Sequence, residues 1–200
     1  MQALLPDDHA KYLLTSGSTG RPKVVINTHR MLCANQQMMA QAWRFLAHEK
    51  SVLVDWLPWS HIFGGNHNLN MVLCHRGTLY SDEGRPMPGL IDKTVRNLRE
   101  VQPTMLFNVP RGFDMPLPFL EAADVLARMR LAFYAAAALA PSTWQRLHAV
   151  ARRVRPAQPL WLTTSWGSTE TAPAVTTVHW HLEGVGCIGA SLPGLELKLV

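Results

Sequence analysis

Short apolar, β-rich runs recur at residues 12–14, 24–27, 52–57, 78–80, 104–107, 131–134 and 160–163, and helical periodicity fills most of the intervals between them. Thr28 is placed to cap a first helix, along which Leu32, Gln36, Met39, Trp43 and Leu46 recur at helical spacing. A second helix is predicted over about 65–76. His75 and Arg76 suit its negative dipole end, and Gly77 stops it. Ile91, Val95 and Leu98 mark one face of a third, over 91–101, which Pro103 ends. A fourth runs over 141–153 and starts on a proline, whose missing N–H costs nothing in a first turn. Strands joined through helices of this length form right-handed crossovers, so the expected fold class is α/β, with mostly parallel sheets covered by helices. After Glu170 the chain turns Thr- and Val-rich, with Gly184, Gly186, Gly189 and Gly194, and a β-rich carboxyl-terminal segment is expected over 171–200, as part of a barrel or a small appended sheet. Its last residues, from Leu195 on, alternate as a half-exposed strand would and then stop without a partner.

Composition narrows the class. Two hundred residues with 48% hydrophobic and 16% charged side chains can bury a sizeable core, which excludes a disordered polyelectrolyte and a small disulfide scaffold. The formal net charge of +5 would suit an anionic ligand or a nucleic acid. The densest basic stretch, Arg146 to Arg155, lies on an amphipathic helix and carries no aromatic interleaving, so it reads as a solvated face and no nucleic-acid partner is expected. Cys33, Cys74 and Cys187 are odd in number and form no CxxC pair, which points to a reducing compartment. No long apolar run and no basic leader are present, so the expectation is a cytoplasmic chain with no membrane span.

The chemistry concentrates in two places. Between two apolar strands stands Thr15-Ser16-Gly17-Ser18-Thr19-Gly20-Arg21-Pro22-Lys23. Gly17 and Gly20 let backbone N–H groups approach an anion, the hydroxyls add donors, and Lys23 adds a positive charge, which together suit a phosphate. An ordinary polar hairpin loop is the alternative, but one or two turn residues would suffice for it. The Walker A pattern fails, because Lys23 follows Pro22 and leads into a strand; GxGxxG is absent, and Ser16 stands where G-x-S-x-G needs its first glycine. The second place is Trp166-Gly167-Ser168-Thr169-Glu170, which read alone could be a helix cap.

Together these two stretches resemble the signature motifs of the adenylate-forming superfamily of acyl-CoA synthetases, luciferases and nonribosomal peptide adenylation domains. The segments Asp55-Trp56-Leu57-Pro58-Trp59-Ser60-His61, Asn108-Val109-Pro110-Arg111-Gly112-Phe113-Asp114 and Phe133-Tyr134-Ala135-Ala136-Ala137-Ala138-Leu139 are most similar to the bacterial feruloyl-CoA synthase branch. The resemblance runs from Tyr12 to the end of the chain. It implies a ligase that joins an aromatic carboxylic acid to ATP as an acyl-adenylate and then to coenzyme A, with Mg²⁺ as cofactor. Thr15, Ser16, Gly17, Ser18, Thr19, Gly20 and Lys23 would hold the leaving pyrophosphate, and Trp166 and Gly167 would join them as nucleotide-binding residues. Thr169 would fix the α-phosphate and Glu170 would hold the metal. His61 would lie near the acyl group and thioester channel. Ala136 and Ala137 would flank the adenine, at a place where many superfamily members have glycines. Trp59, Phe63 and Tyr134 could line a flat acyl pocket or be plain core. His67, like His75, reads as an ordinary surface or core histidine.

The family is much longer, and its ribose-binding Thr-Gly-Asp segment and carboxyl-terminal catalytic-lysine domain have no counterpart here. The expected organisation is an incomplete amino-terminal AMP-binding domain, with an α/β core over 1–170 and the β-rich segment over 171–200, adenylating weakly in isolation. A truncated, non-catalytic nucleotide-binding protein is the alternative.

Overall fold

The computed structural model describes residues 3–16, 20–120 and 124–198. Its strands among these residues are β1 (His9–Ser16), β2 (Pro22–Thr28), β3 (Val52–Asp55), β4 (Thr78–Ser81), β5 (Met105–Asn108), β6 (Leu131–Tyr134), β7 (Trp161–Gly167), β8 (Ala174–Thr177) and β9 (Ala190–Ser191). Seven of them form a sheet in the order β4-β3-β5-β6-β7-β8-β9. Pairing is parallel from β4 through β7 and antiparallel from β7 through β9, so the sheet is mostly parallel, as the alternating pattern predicts. β8 and β9 continue the same sheet past β7. The alternating residues 195–198 form no strand, which corrects the expectation there; the Leu195 N–H closes a turn onto the Leu192 carbonyl at 3.1 Å.

Strand parity divides the core in two. Leu53, Met105, Phe107, Leu131 and Phe133 face one side of the sheet and pack with Trp43, Leu46, Phe63, Met71 and Val72. Val54, Leu106, Ala132, Tyr134 and Leu162 alternate with them and face the other side, under Leu98, Trp144, Leu147 and Val150. Successive side chains on a strand point to opposite faces, so a neighbour in sequence can belong to a different core.

The helices fall largely where the periodicity puts them. In α1 (His29–Ala42) the Thr28 side chain accepts a hydrogen bond from the Met31 N–H at 3.3 Å. The helix ends at Ala42, and a 3₁₀ turn over Arg44–Ala47 brings Leu46 into the core. The predicted second helix divides into a π-helix, Phe63–Leu69, and α2 (Asn70–Cys74). Then α3 (Ile91–Val101), the short α4 (Arg111–Asp114) and α5 (Leu117–Leu120), and α6 (Pro141–Val154) cover the sheet. None of the described helices is long and apolar enough to cross a membrane.

β1 and β2 stand apart from this sheet as an antiparallel hairpin, in register from Leu13 opposite Val25 to Thr15 opposite Lys23. Polar contacts tie it down. Lys11 Nζ donates to the Trp59 carbonyl at 3.1 Å and to Asn66 Oδ1 at 3.0 Å. Asn27, fully buried, donates to the Thr169 carbonyl at 3.1 Å and accepts from Asn66 Nδ2 at 2.7 Å. Gln36 donates to the Asn66 carbonyl at 2.9 Å, and Asn35 donates to the Ala174 carbonyl at 2.8 Å. Buried amides must find partners, so this network fixes the hairpin against α1, the π-helix and the turn after β7.

Candidate active site

A cleft of ≈ 380 Å³ opens where the parallel strands end and the sheet changes direction. Thr15, from the end of β1, lines one side, and Gly167, Ser168, Thr169 and Glu170 line the other. His61, Phe63, His67, Phe133, Ala136 and Ala174 complete it. Ligands in open α/β sheets bind at such carboxyl-terminal strand ends, beside a change in strand order.

The turn after β7 sets its functional side chains at the mouth of the cleft. Ser168 is the N-cap of a 3₁₀ turn, Thr169–Thr171, and its N–H donates to Thr171 Oγ1 at 2.9 Å. Capping is thus done by Ser168 and Thr171, and Thr169 and Glu170 line the cleft between them. The Glu170 carboxyl is held below the usual range by its own backbone N–H, then by Ser168 and by the charge of Lys23.

Six of the site residues singled out in the sequence meet here, and Lys23, on β2, is not among them. Thr15, His61, Ala136, Gly167, Thr169 and Glu170 share the cleft. Ser16 closes β1 and Gly20 lies beyond it at φ +77°, while Gly17, Ser18 and Thr19 lie outside the described residues. Ala137 is exposed and does not line the cleft. Trp166 also stays outside it, half exposed on β7, with its N–H donating to Thr176 Oγ1. His61 is exposed, and its Nδ1 accepts the Phe63 N–H at 3.2 Å.

Of the three aromatic residues with two readings, Phe63 and Tyr134 each take one of them and Trp59 takes neither. Phe63 lines the cleft as one of the two readings has it, but Trp59 is half exposed elsewhere and Tyr134 is sealed in the opposite core. Strand parity is the reason: Phe133, one residue before Tyr134, faces the cleft side of the sheet. His67, read from sequence as an ordinary histidine, is 2% exposed and belongs to the cleft wall. Desolvation pushes its pKa down to about 4, against a hydrogen bond with Asn68 that works the other way. Burial also lifts Asp55 to about 6, although the Asn68 side chain and the Leu57 N–H both donate to its carboxylate. Sequence reading missed the positioning amides Asn27, Asn35 and Asn66 as well; a polar side chain inside a predicted strand or helix was their only signal.

Two backbone features shape the walls. Ala136 has φ +73°, a left-handed conformation that costs an L-residue about 1 kcal/mol and glycine almost nothing. Ala136→Gly is therefore expected to raise unfolding free energy by about 0.5–1 kcal/mol in urea titration, and a loss would contradict the strain. At Gly65 an added Cβ would sit 2.3 Å from the Trp59 carbonyl and 2.5 Å from Lys11 Nζ, so only glycine lets the π-helix approach the hairpin anchor this closely.

No group of three or more His, Cys, Asp or Glu side chains that could cage a metal occurs among the described residues. Glu170 is a single exposed carboxylate at the cleft. That donor set fits Mg²⁺, which commonly takes one or two protein carboxylates together with phosphate oxygens and water.

Known proteins share this fold. The malonate–CoA ligase of Arabidopsis thaliana is 24% identical over 208 residues, which cover 96% of this chain and 33% of that protein. A probable CoA ligase of Humulus lupulus, CCL8, is 24% identical over 97% of this chain and 33% of its own length. Among solved structures, a malonyl-CoA ligase with methylmalonyl-CoA and AMP bound superposes with a TM-score of 0.78 at 29% identity, covering 98% of this chain and 40% of that one. ATP-bound MatB from Rhodopseudomonas palustris gives 0.73 at 28% identity, over 94% and 35%. The chain thus spans about a third of the length of these curated relatives. The profile of the AMP-binding enzymes matches residues 1–200, and the chain belongs to that family.

Proposed function

We propose that this chain forms the nucleotide- and acid-facing part of an ATP-dependent acid–CoA ligase acting on an aromatic, feruloyl-like carboxylate. The observation that carries the reading is one cleft holding Thr15 on one side, Thr169 and Glu170 on the other, and the Phe63 and Phe133 rings in its wall. In the first step a carboxylate oxygen attacks the α-phosphorus of ATP, an acyl–phosphate bond forms, and the α–β bridging bond breaks, pyrophosphate leaving with the electron pair. In the second, the coenzyme A sulfur attacks the acyl carbon, the carbon–oxygen bond to AMP breaks, and the thiol proton is released. Neither step needs a nucleophile from the protein, so the residues act by placement and by charge.

Lys23 and the hydroxyl- and glycine-rich stretch from Thr15 to Gly20 would receive the pyrophosphate, and Thr169 would bind the α-phosphate. Glu170 would hold Mg²⁺, which supplies charge neutralisation at the phosphates. His61, exposed at the cleft, would stand beside the acyl group and the approaching thiol. Flat aromatic walls favour a flat acid over a flexible chain.

Calorimetric titration with ATP tests the reading. Wild-type chain should bind ATP more tightly with MgCl₂ than without it, Glu170→Gln should lose that dependence, and Lys23→Ala should weaken binding roughly tenfold, the scale of one charged hydrogen bond. Equal affinity in wild type and both variants would remove the ligase assignment.

A further inference from the structure

The amino-terminal ends of the parallel strands, opposite the cleft, carry a second group of cavities. Three of them, of ≈ 360, ≈ 420 and ≈ 480 Å³, share Arg130 near the starts of β5, β6 and β7. Arg130, Arg155, Trp161, His179, Trp180 and His181 line the second, and no Asp or Glu stands among its described lining residues. Arg155 is held in place. Its Nε donates to the Gln158 carbonyl at 2.8 Å, and its terminal nitrogens donate to Gln158 Oε1 at 3.1 Å and to the Met129 carbonyl. A guanidinium carries five N–H groups, so two stay free. Arg130 reaches Glu49 through Nε at 3.5 Å and lies 5.2 Å over the Phe45 ring, and its terminal nitrogens have no acceptor among the described residues. Burial lowers the Arg155 pKa, and the nearby charge of Arg130 lowers it further. Two cations thus line one cavity without a carboxylate in its described wall, an arrangement that an anion relieves.

The remaining wall is aromatic. Trp161 is fixed by its indole N–H, which donates to the Trp180 carbonyl at 3.1 Å, and its ring lies 5.7 Å from that of Phe45 and 6.2 Å from that of His181. The Trp180 ring, 40% exposed, is set edge-on to His179 at 4.9 Å. Open rings beside two guanidinium groups offer a flat apolar surface next to a positive one. An aliphatic anion would leave the rings uncovered, and a neutral ring would leave the charges unrelieved. A planar ring carrying a phosphate satisfies both. The basic stretch from Arg146 to Arg155 shows none of this in sequence, because its aromatic neighbours come from β7 and from the residues after β8.

We propose that this groove is a second ligand site, for a ring-bearing phosphate of mononucleotide size, with the phosphate on Arg130 and Arg155 and the ring against Trp161 and Trp180. Its volume falls in the range of small-ligand sites. The site lies at the end of the strands opposite Thr169 and Glu170, so it stands independently of the ligase reading.

Isothermal titration at fixed ionic strength with GMP, guanosine, ribose 5-phosphate and inorganic phosphate tests it. GMP should bind wild type at least tenfold more tightly than any of the other three. Arg130→Gln and Trp180→Ala, each confirmed as folded by its urea midpoint, should each weaken GMP about tenfold and leave any Mg²⁺-dependent ATP binding at the cleft unchanged. The proposal is overturned by GMP failing to bind, by inorganic phosphate binding as tightly, which reduces the site to surface charge, or by GMP affinity unchanged in either folded variant. A single-stranded oligonucleotide that binds more tightly than GMP, with affinity climbing with its length, overturns it in favour of a nucleic-acid groove. Absence of Mg²⁺-dependent ATP binding in wild type would bear on the ligase reading alone.

Discussion

Replacing Phe133 by alanine is expected to lower the unfolding free energy by about 3–5 kcal/mol, the usual cost of emptying a buried aromatic site. Phe133 is 1% exposed, and its ring contacts those of Trp43, Phe63, His67 and Phe107 at 5.0–5.7 Å, so four neighbours lose a shared surface at once. The sheet cannot close the gap easily, because Phe133 sits on β6 with parallel partners on both sides. Against a typical total of about 5–15 kcal/mol, a loss of that size leaves much of the chain unfolded at ordinary temperature. Urea titration reads it directly. Phe133→Leu serves as the companion, expected to cost about half as much because most of the volume is kept. A loss below about 1 kcal/mol for the alanine variant would show that the aromatic cluster is not a cooperative part of the core.

Gly167→Ala is the second large effect expected. A Cβ at this position would fall 1.8 Å from the Pro173 carbonyl oxygen and 3.0 Å from Ala174 Cα, and the first of these is a backbone atom that no rotamer change can move aside. Gly167 pairs with Ala174 across the antiparallel seam, and the Ser168 N–H donates to that same Pro173 carbonyl at 3.1 Å. Relief requires β8 to move off β7, which breaks the turn that presents Thr169 and Glu170. A cost of about 2–4 kcal/mol is expected, with loss of ATP binding in whatever fraction still folds. Gly184→Ala is the control: nothing lies within 4 Å of its added Cβ, so its stability should stay within about 0.5 kcal/mol of wild type. Equal behaviour of the two variants would refute the steric argument.

Both predictions involve residues whose places in the fold were unequally visible in the sequence. Gly167, Thr15, Thr169, Glu170 and His61 were legible because turn chemistry and short polar motifs are written locally, within a few residues of one another. Helices such as α3 and α6 were legible for the same reason, since their apolar spacing and terminal signals lie inside the element. Phe133 and His67 were not, because a residue that walls a cleft and a residue that fills a core obey the same hydrophobic pattern. Only the sheet's parity separates Phe133 from Tyr134, and parity becomes visible only when β6 has partners. The hairpin defeated the pattern differently. Tyr12, Leu14, Val24 and Ile26 belong to its apolar runs and are exposed, while Asn27, a polar residue, is fully buried. Long-range amide pairs decide that arrangement, and nothing local announces them.

The π-helix at Phe63–Leu69 has a consequence for how this cleft could change over descent. Its ladder skips one residue further than an α-helix does, as in the His67 N–H bonding to the Ile62 carbonyl. Excising a single residue would let ordinary α pitch return, and the side chains within this segment would be redistributed about its axis while α2 beyond it kept its register. His67 would then leave the wall. Point substitutions can repaint this wall gradually, but a shift in length there would change the places of Phe63 and His67 together.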